Sequence, residues 1–98
     1  MVYEIKISKF FLEQVCGLSP KSKKLIDKKL DLLKINPYRY KTIKGYPISF
    51  LRIRFSDRNK EKRMIYFVDK NIVKIICILD RDKDYKDLNK YIKLASEM

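Results

Sequence analysis

The chain has 98 residues, with 24 Lys and Arg against 12 Asp and Glu, and a formal net charge of +12. A hydrophobic fraction of 46% excludes a disordered chain, and the length predicts one domain, residues 1–98, with a modest core. No apolar run reaches membrane-spanning length, and the N-terminus lacks the apolar core of a signal peptide. The two cysteines, Cys16 and Cys77, lie in apolar runs without metal-ligand spacing, which predicts buried thiols. These features predict a cytoplasmic protein that uses no metal or other cofactor and no membrane.

The first third of the chain predicts one strand and two helices. Val2 to Ile7 alternates polar and apolar residues, as a half-buried strand does. Ser8 is placed to cap a short helix that runs through Cys16, and the pair Ser19-Pro20 begins a second helix. Asn36-Pro37 ends that helix. The residues expected to face the core are Tyr3, Ile5 and Ile7 in the strand, Phe11, Leu12 and Val15 in the first helix, and Leu25, Ile26, Leu30 and Leu33 in the second.

The remainder predicts three strands and a last helix. The strands are Ile48–Phe55, Lys62–Val68 and Ile72–Leu79, and the third is almost wholly apolar, as a strand covered on both faces should be. Asp84 or Asp87 can cap a C-terminal helix, whose apolar face comprises Leu88, Tyr91, Ile92 and Ala95. The order β-α-α-β-β-β-α predicts an α+β fold. We expect a small antiparallel sheet with the two N-terminal helices on one face, and a C-terminal helix.

Arginines inside the predicted strands are the feature that hydrophobic alternation does not explain. Arg52 and Arg54 fall on the face opposite Leu51, Ile53 and Phe55, and Arg63 lies in the next strand. Between residues 39 and 63 there are nine basic and two acidic residues, and the nearby tyrosines are Tyr38, Tyr40, Tyr46 and Tyr66. A basic, tyrosine-rich segment suits a polyanion with stackable bases. A solvated lysine-rich surface is the alternative, but arginine within strands favours a nucleic acid or another acidic partner.

Two short motifs carry a resemblance to a known family. The strand Lys62-Arg63-Met64-Ile65-Tyr66 looks like the Tyr-Arg-hydrophobic-hydrophobic-Tyr strand of the RelE/ParE superfamily of toxin–antitoxin toxins. The segment from Asp80 to Tyr85 looks like the His-Arg-Lys-Asp-x-Tyr ending of that superfamily. The motifs stand in the family's order and spacing, and the resemblance runs from Tyr3 to about Ile92.

The resemblance implies an activity, partners and site residues. RelE-type members are ribosome-dependent mRNA endonucleases, in which a 2′-hydroxyl of the message attacks the adjacent phosphate without a metal. The expected partners are mRNA on the ribosome and an acidic antitoxin protein. The resemblance assigns catalysis to Arg63, Arg81 and Tyr85, and substrate binding to Lys44, Arg52, Arg54 and Lys83.

The sequence departs from the family pattern where proton transfer is concerned. Asp80 stands where the family has histidine, and the chain contains no histidine, so a histidine acid is excluded. Arginine stays protonated and cannot act as the base. The acidic residues Asp80, Asp82 and Asp84 are expected to bring negative charge close to the phosphate site. The remaining groups that could titrate are Lys44, Lys83 and Tyr85.

These departures leave three functions open. The first is the mRNA endonuclease, the second is a ParE-like topoisomerase inhibitor that cleaves no RNA, and the third is an inert RNA- or ribosome-binding relative. Structural roles stay open as well, because Arg63 could pair with Glu61 or with an aspartate across the sheet. Tyr85 could equally be a helix-start aromatic that packs on the sheet.

Overall fold

A computed structural model describes residues 2–80 and 88–98 of the protein. The predicted α+β class and element order are confirmed. A short 3₁₀ turn, Pro37–Arg39, precedes β2. The helices and strands are β1 Glu4–Ile7, α1 Lys9–Cys16, α2 Pro20–Ile35, β2 Lys41–Thr42, β3 Leu51–Asp57, β4 Lys60–Asp69, β5 Ile72–Asp80 and α3 Asn89–Glu97.

The first two helices begin where the sequence predicts. The Ser8 hydroxyl accepts from the backbone N–H of Phe11 at 2.9 Å, and the Ser19 hydroxyl accepts from that of Ser22 at 3.2 Å. Each hydroxyl satisfies a donor that the first helical turn leaves without a partner. Two residues expected to face the core are exposed instead, Ile7 at 38% and Leu12 at 51%. Both lie in short outer elements that bury only part of their apolar surface.

The described residues form five strands, which make one sheet in the order β1-β5-β4-β3-β2. The sheet is mixed, since β1 runs parallel to β5 while the other neighbours are antiparallel. The predicted antiparallel arrangement therefore holds for four strands, and β1 is the exception. The two-residue strand β2 lies in what the sequence suggested was only a connector. Local alternation indicates which residues share a face, but it carries no information about strand direction or partner.

Two core clusters lie on opposite faces of the sheet. α1 and α2 cover the face that presents Ile53, Met64 and Ile75. α3 and the connection between β2 and β3 cover part of the face that presents Ile65 and Cys77. β5 is buried on both faces, as predicted. Of the two thiols expected to be buried, Cys77 is buried and Cys16 is exposed at the end of α1.

A bulge in the pairing of β4 with β5 decides which side chains reach each face. The register passes from Ile65↔Cys77 to Tyr66↔Ile75, so Ile76 is an extra residue in β5. Beyond it, Leu79 pairs with Arg63. No described helix is both long and apolar enough to cross a bilayer.

Candidate nucleic-acid interface

Three strands bring four cations to one face of the sheet, which we call the arginine face. Arg54 in β3 lies directly opposite Arg63 in β4, and Arg52 lies opposite Lys41 in β2. Cross-strand partners share a face, and so do alternate residues of one strand. The two N-terminal helices pack on the other side of the sheet. The predicted residues Arg52, Arg54 and Arg63 are therefore brought together, and Lys41 is added to them.

The hairpin turn fixes how close Arg54 and Arg63 come. Arg58 and Asn59 both have positive φ, 51° and 66°, and they join a pair formed by Asp57 and Lys60. A two-residue turn of this kind closes on a hydrogen-bonded pair, and the pairs then alternate along the ladder. Arg54 and Arg63 consequently form a pair without mutual backbone hydrogen bonds, in which the Cα atoms lie about 4.5 Å apart. Two guanidinium groups so placed can reach the oxygens of one phosphate.

The two arginines differ in exposure. Arg54 is exposed, whereas Arg63 is half-buried between Arg54 and its other neighbour, Leu79 of β5. Arg52 is half-buried as well. Arginine suits such positions because its aliphatic stem can pack on apolar neighbours while the guanidinium group reaches solvent. An arginine guanidinium group presents its N–H donors in a rigid plane, whereas a lysine ammonium group is a mobile point charge.

The same register brings a carboxylate to the arginine face. Glu61 is paired with Ser56, and it lies two residues before Arg63 on the same side of β4. Its side chain is exposed. The sequence signal for Glu61 was its alternation with Arg63. The sequence indicates Glu61 only as a structural partner of that arginine, and its position admits a part in proton transfer as well.

Of the other predicted site residues, one lies in a connecting segment and three fall outside the described part of the chain. Lys44 is exposed in the connection between β2 and β3, outside the register that aligns the arginine face. Arg81, Lys83 and Tyr85 follow β5 and lie outside residues 2–80 and 88–98. Their assignments remain expectations of the family resemblance.

The position of Asp80 corrects the expectation that this acid opposes a phosphate site. Asp80 is paired with Lys62, and the two side chains form an ion pair with Nζ and Oδ1 2.7 Å apart. Lys62 and Arg63 are consecutive in β4, so they point to opposite faces. The bulge at Ile76 is the cause, because uninterrupted alternation from Lys74 would have put Asp80 on the arginine face. The Asp80 charge is instead neutralised on the other side of the sheet.

Two polar contacts hold the strands that carry the arginine face. The carboxylate of Asp57 accepts hydrogen bonds from the hydroxyls of Ser22 and Ser19, both at 2.7 Å, and from the Ser19 backbone N–H at 3.1 Å. These bonds lower the pKa of Asp57 to about 2, from 3.8. The Tyr66 hydroxyl donates to the Pro37 carbonyl at 2.6 Å, and burial raises the pKa of that phenol. The first contact ties the end of β3 to α2, and the second ties β4 to the turn before β2.

The described residues contain no group of three or more His, Cys, Asp or Glu side chains that could hold a metal ion. What the arginine face offers chemically is positive charge and guanidinium donors. Such a face can bind phosphate oxygens and stabilise charge that develops on them.

Comparison with known proteins identifies the fold. No protein-family model and no curated protein matches the sequence. Among solved structures, a free E. coli RelE toxin carrying a double mutation is 19% identical, with a TM-score of 0.74 over 96% of this chain and 98% of that one. The RelE–RelB complex from Pyrococcus horikoshii OT3 is 22% identical, with a TM-score of 0.62 over 83% and 97%. The intact E. coli RelBE toxin–antitoxin complex is 21% identical, with a TM-score of 0.66 over 80% and 95%. The chain has the fold of the RelE toxins.

Proposed function

We propose, on the premise of a RelE fold, that the protein is the toxin of a toxin–antitoxin pair. In this proposal it acts in the cytoplasm as a ribosome-dependent mRNA endonuclease and uses neither metal nor cofactor. The observation that carries the proposal is the Arg54–Arg63 pair, flanked by Arg52, on the sheet face opposite α1 and α2. The partners are mRNA on the ribosome and an antitoxin with acidic segments.

The reaction that suits this face is internal transfer of the phosphoryl group. The 2′-oxygen of the message forms a bond to the adjacent phosphorus while the bond from phosphorus to the 5′-oxygen breaks. The products are a 2′,3′-cyclic phosphate and a 5′-hydroxyl, so one proton leaves the 2′-oxygen and one reaches the 5′-oxygen. Negative charge grows on the two non-bridging phosphate oxygens during the step. In this proposal Arg54 and Arg63 donate to them, with Arg81 and Tyr85 as further contributors by resemblance.

Proton transfer needs a group other than arginine, whose guanidinium stays protonated. Glu61 is a carboxylate on the arginine face and is a base in its ionised form. We therefore add Glu61 to Lys83 and Tyr85 as a candidate for removing the 2′-proton. Lys44 is the weaker candidate, since it lies in a loop outside the aligned face.

The test is cleavage of a defined message on programmed ribosomes, with products mapped by primer extension. A message with a single 2′-deoxy nucleotide at the cleaved position is the matched control, because it binds but lacks the nucleophile. Cleavage of the normal message alone, leaving a cyclic phosphate, is the expected result. Cleavage of the deoxy message would exclude attack by the 2′-oxygen.

The same preparation separates the competing functions. Supercoiling of a plasmid by purified DNA gyrase is measured with and without the protein. Inhibition of gyrase without RNA cleavage would replace the proposal with the topoisomerase inhibitor. Ribosome binding that weakens steeply with salt, again without cleavage, would indicate an inert RNA-binding relative.

A further inference from the structure

β5 continues beyond the strand that pairs with its outer edge. β1 pairs with residues Ile72 to Ile75, whereas β5 runs on to Asp80. Among the described residues, no strand pairs with β5 on this side beyond Ile75. Ile78, in this second half of the strand, is buried. A buried backbone N–H or C=O without a partner destabilises a protein, so the outward groups of Ile78 need partners.

One side chain of α1 bonds to both backbone groups of Ile78. The Nε2 of Gln14 donates to the Ile78 carbonyl at 2.7 Å, and the Oε1 of Gln14 accepts from the Ile78 N–H at 2.6 Å. A residue of an antiparallel strand exchanges the same two bonds with its partner. The Ser8 hydroxyl, in addition, donates to the Ile76 carbonyl at 2.5 Å. Side chains of the first helix and its cap therefore take the place of the strand that β1 does not supply.

The pairing on the other side of β5 connects these bonds to the arginine face. Because the backbone groups of Ile78 point to Gln14, those of the next residue, Leu79, point to β4. Leu79 is paired there with Arg63 and shares its face. The two bonds from Gln14 therefore hold the backbone of β5 one residue before the position that lies beside Arg63.

The bulge at Ile76 makes the register of this segment depend on such support. Ile76 is the extra residue in the pairing of β5 with β4. If it entered the ladder, every later pair would shift by one residue, and every later side chain would turn to the other face of the sheet. The Asp80 carboxylate would then lie on the arginine face. The same shift would turn the backbone groups of Ile78 towards β4, so both bonds from Gln14 would break, and Gln14 therefore opposes it.

We infer that Gln14 is a positioning residue, which holds the bulged register of β5 and thereby the place of Arg63 on the arginine face. This inference deepens the proposed function and rests on it, because Arg63 is a catalytic residue of that proposal. Gln14 belongs to α1, which covers the opposite face of the sheet, so it acts through the backbone of β5 rather than on the phosphate. A small displacement of a catalytic group is enough to slow a reaction, and about 1 Å can cost about 10²-fold.

The test compares two substitutions of Gln14 with a control on the same helix. Gln14→Leu has a side chain of similar size and removes both bonds, whereas Gln14→Glu keeps the acceptor and loses the donor. Glu13→Leu is the control, because Glu13 is an exposed neighbour. Single-turnover cleavage is measured over a range of programmed-ribosome concentrations. Both Gln14 variants should lower the rate constant at saturating ribosomes by about tenfold or more, with the half-saturating concentration unchanged. Glu13→Leu should leave that rate constant as it is.

Hydrogen exchange at single amides separates positioning from a general loss of structure. Arg63 and Leu79 are paired so that each amide bonds to the other residue's carbonyl and not to Gln14. In both Gln14 variants these two amides should exchange about tenfold faster than in the wild type, relative to the amide of Ile53 in β3. This measurement needs no ribosome. Gln14→Glu keeps the test open if the leucine variant does not fold.

Three results would overturn the inference. Faster exchange at Ile78 alone, with cleavage unchanged, would mean that Gln14 only satisfies the backbone of an unpaired edge. Equal acceleration at every amide, Ile53 included, would mean a structural role in the whole domain. A change in the half-saturating concentration without a change in the rate constant would assign Gln14 to ribosome binding. If the wild type itself cleaves no message, the proposed function fails, whereas exchange at Arg63 and Leu79 still decides whether Gln14 holds the register.

Discussion

Replacing Arg63 by alanine should remove function while leaving the fold almost intact. Arg63 lies directly opposite Arg54, and like charges so placed destabilise a sheet by about 0.2–1 kcal/mol. Among the described residues the buried carboxylate is Asp57, which bonds to serines of α2 on the other face. Among residues 2–80 and 88–98, loss of Arg63 therefore leaves no buried acid unpaired, and an exposed partner would be worth about 0–1 kcal/mol. The lower strand propensity of alanine costs up to about 1 kcal/mol. The free energy of unfolding should change by no more than about 1 kcal/mol.

Catalysis should respond far more strongly than stability. Loss of one donor to a transition-state oxyanion lowers the rate by about 10² to 10³. A change of 1 kcal/mol in a domain of this size moves the melting temperature by roughly 4–8 °C. The measurements are a thermal melt and single-turnover cleavage on programmed ribosomes. Arg81→Ala provides the companion variant, and Lys60→Ala removes an exposed cation from the opposite face of the same strand as a control.

A different outcome would identify Arg63 as part of the scaffold. A buried charge partner left alone costs about 3–5 kcal/mol, which corresponds to a fall of more than about 12 °C in melting temperature. A variant that melts this much earlier, yet cleaves normally per folded molecule, would refute the catalytic role. The same result for Arg81→Ala would refute the endonuclease proposal with it.

Three further variants test the supports of the site. The pKa of Asp57 is lowered to about 2, so the stability that this carboxylate contributes is present above about pH 4 and is lost as the pH falls towards 2. The urea midpoint of the Asp57→Asn variant should therefore change less between about pH 4 and pH 2 than that of the wild type. Arg58→Asn places a residue that tolerates positive φ in the hairpin turn, and it should raise the free energy of unfolding, measured in denaturant, by about 0.5–1 kcal/mol. Arg58→Ala keeps a residue that is strained at positive φ, so it should not stabilise the protein. Asp80→Ala removes a partly exposed ion pair, so it should cost about 0.2–1 kcal/mol and leave the cleavage rate unchanged; a rate that rises several-fold would mean that Asp80 opposes the phosphate site after all.

Local sequence signals account for most of the fold. Helix starts at Ser8 and Ser19 follow from side-chain capping, which depends on residues three positions apart. The faces of β3 and β4 follow from period-two alternation within each strand. The parallel pairing of β1 with β5 could not be predicted, because these strands are far apart in the chain. No local sequence pattern indicates whether a strand pairs parallel or antiparallel with a strand distant in the chain.

The site was predictable to a similar extent. Alternation was enough to place Arg52 and Arg54 on one face, and the match to a family strand singled out Arg63. Lys41 joins them only through a two-residue pairing that has no sequence signature. Asp80 was misplaced because one extra residue in β5 reverses the alternation after it. Register and bulges are settled by packing between strands, and they decide which charges meet.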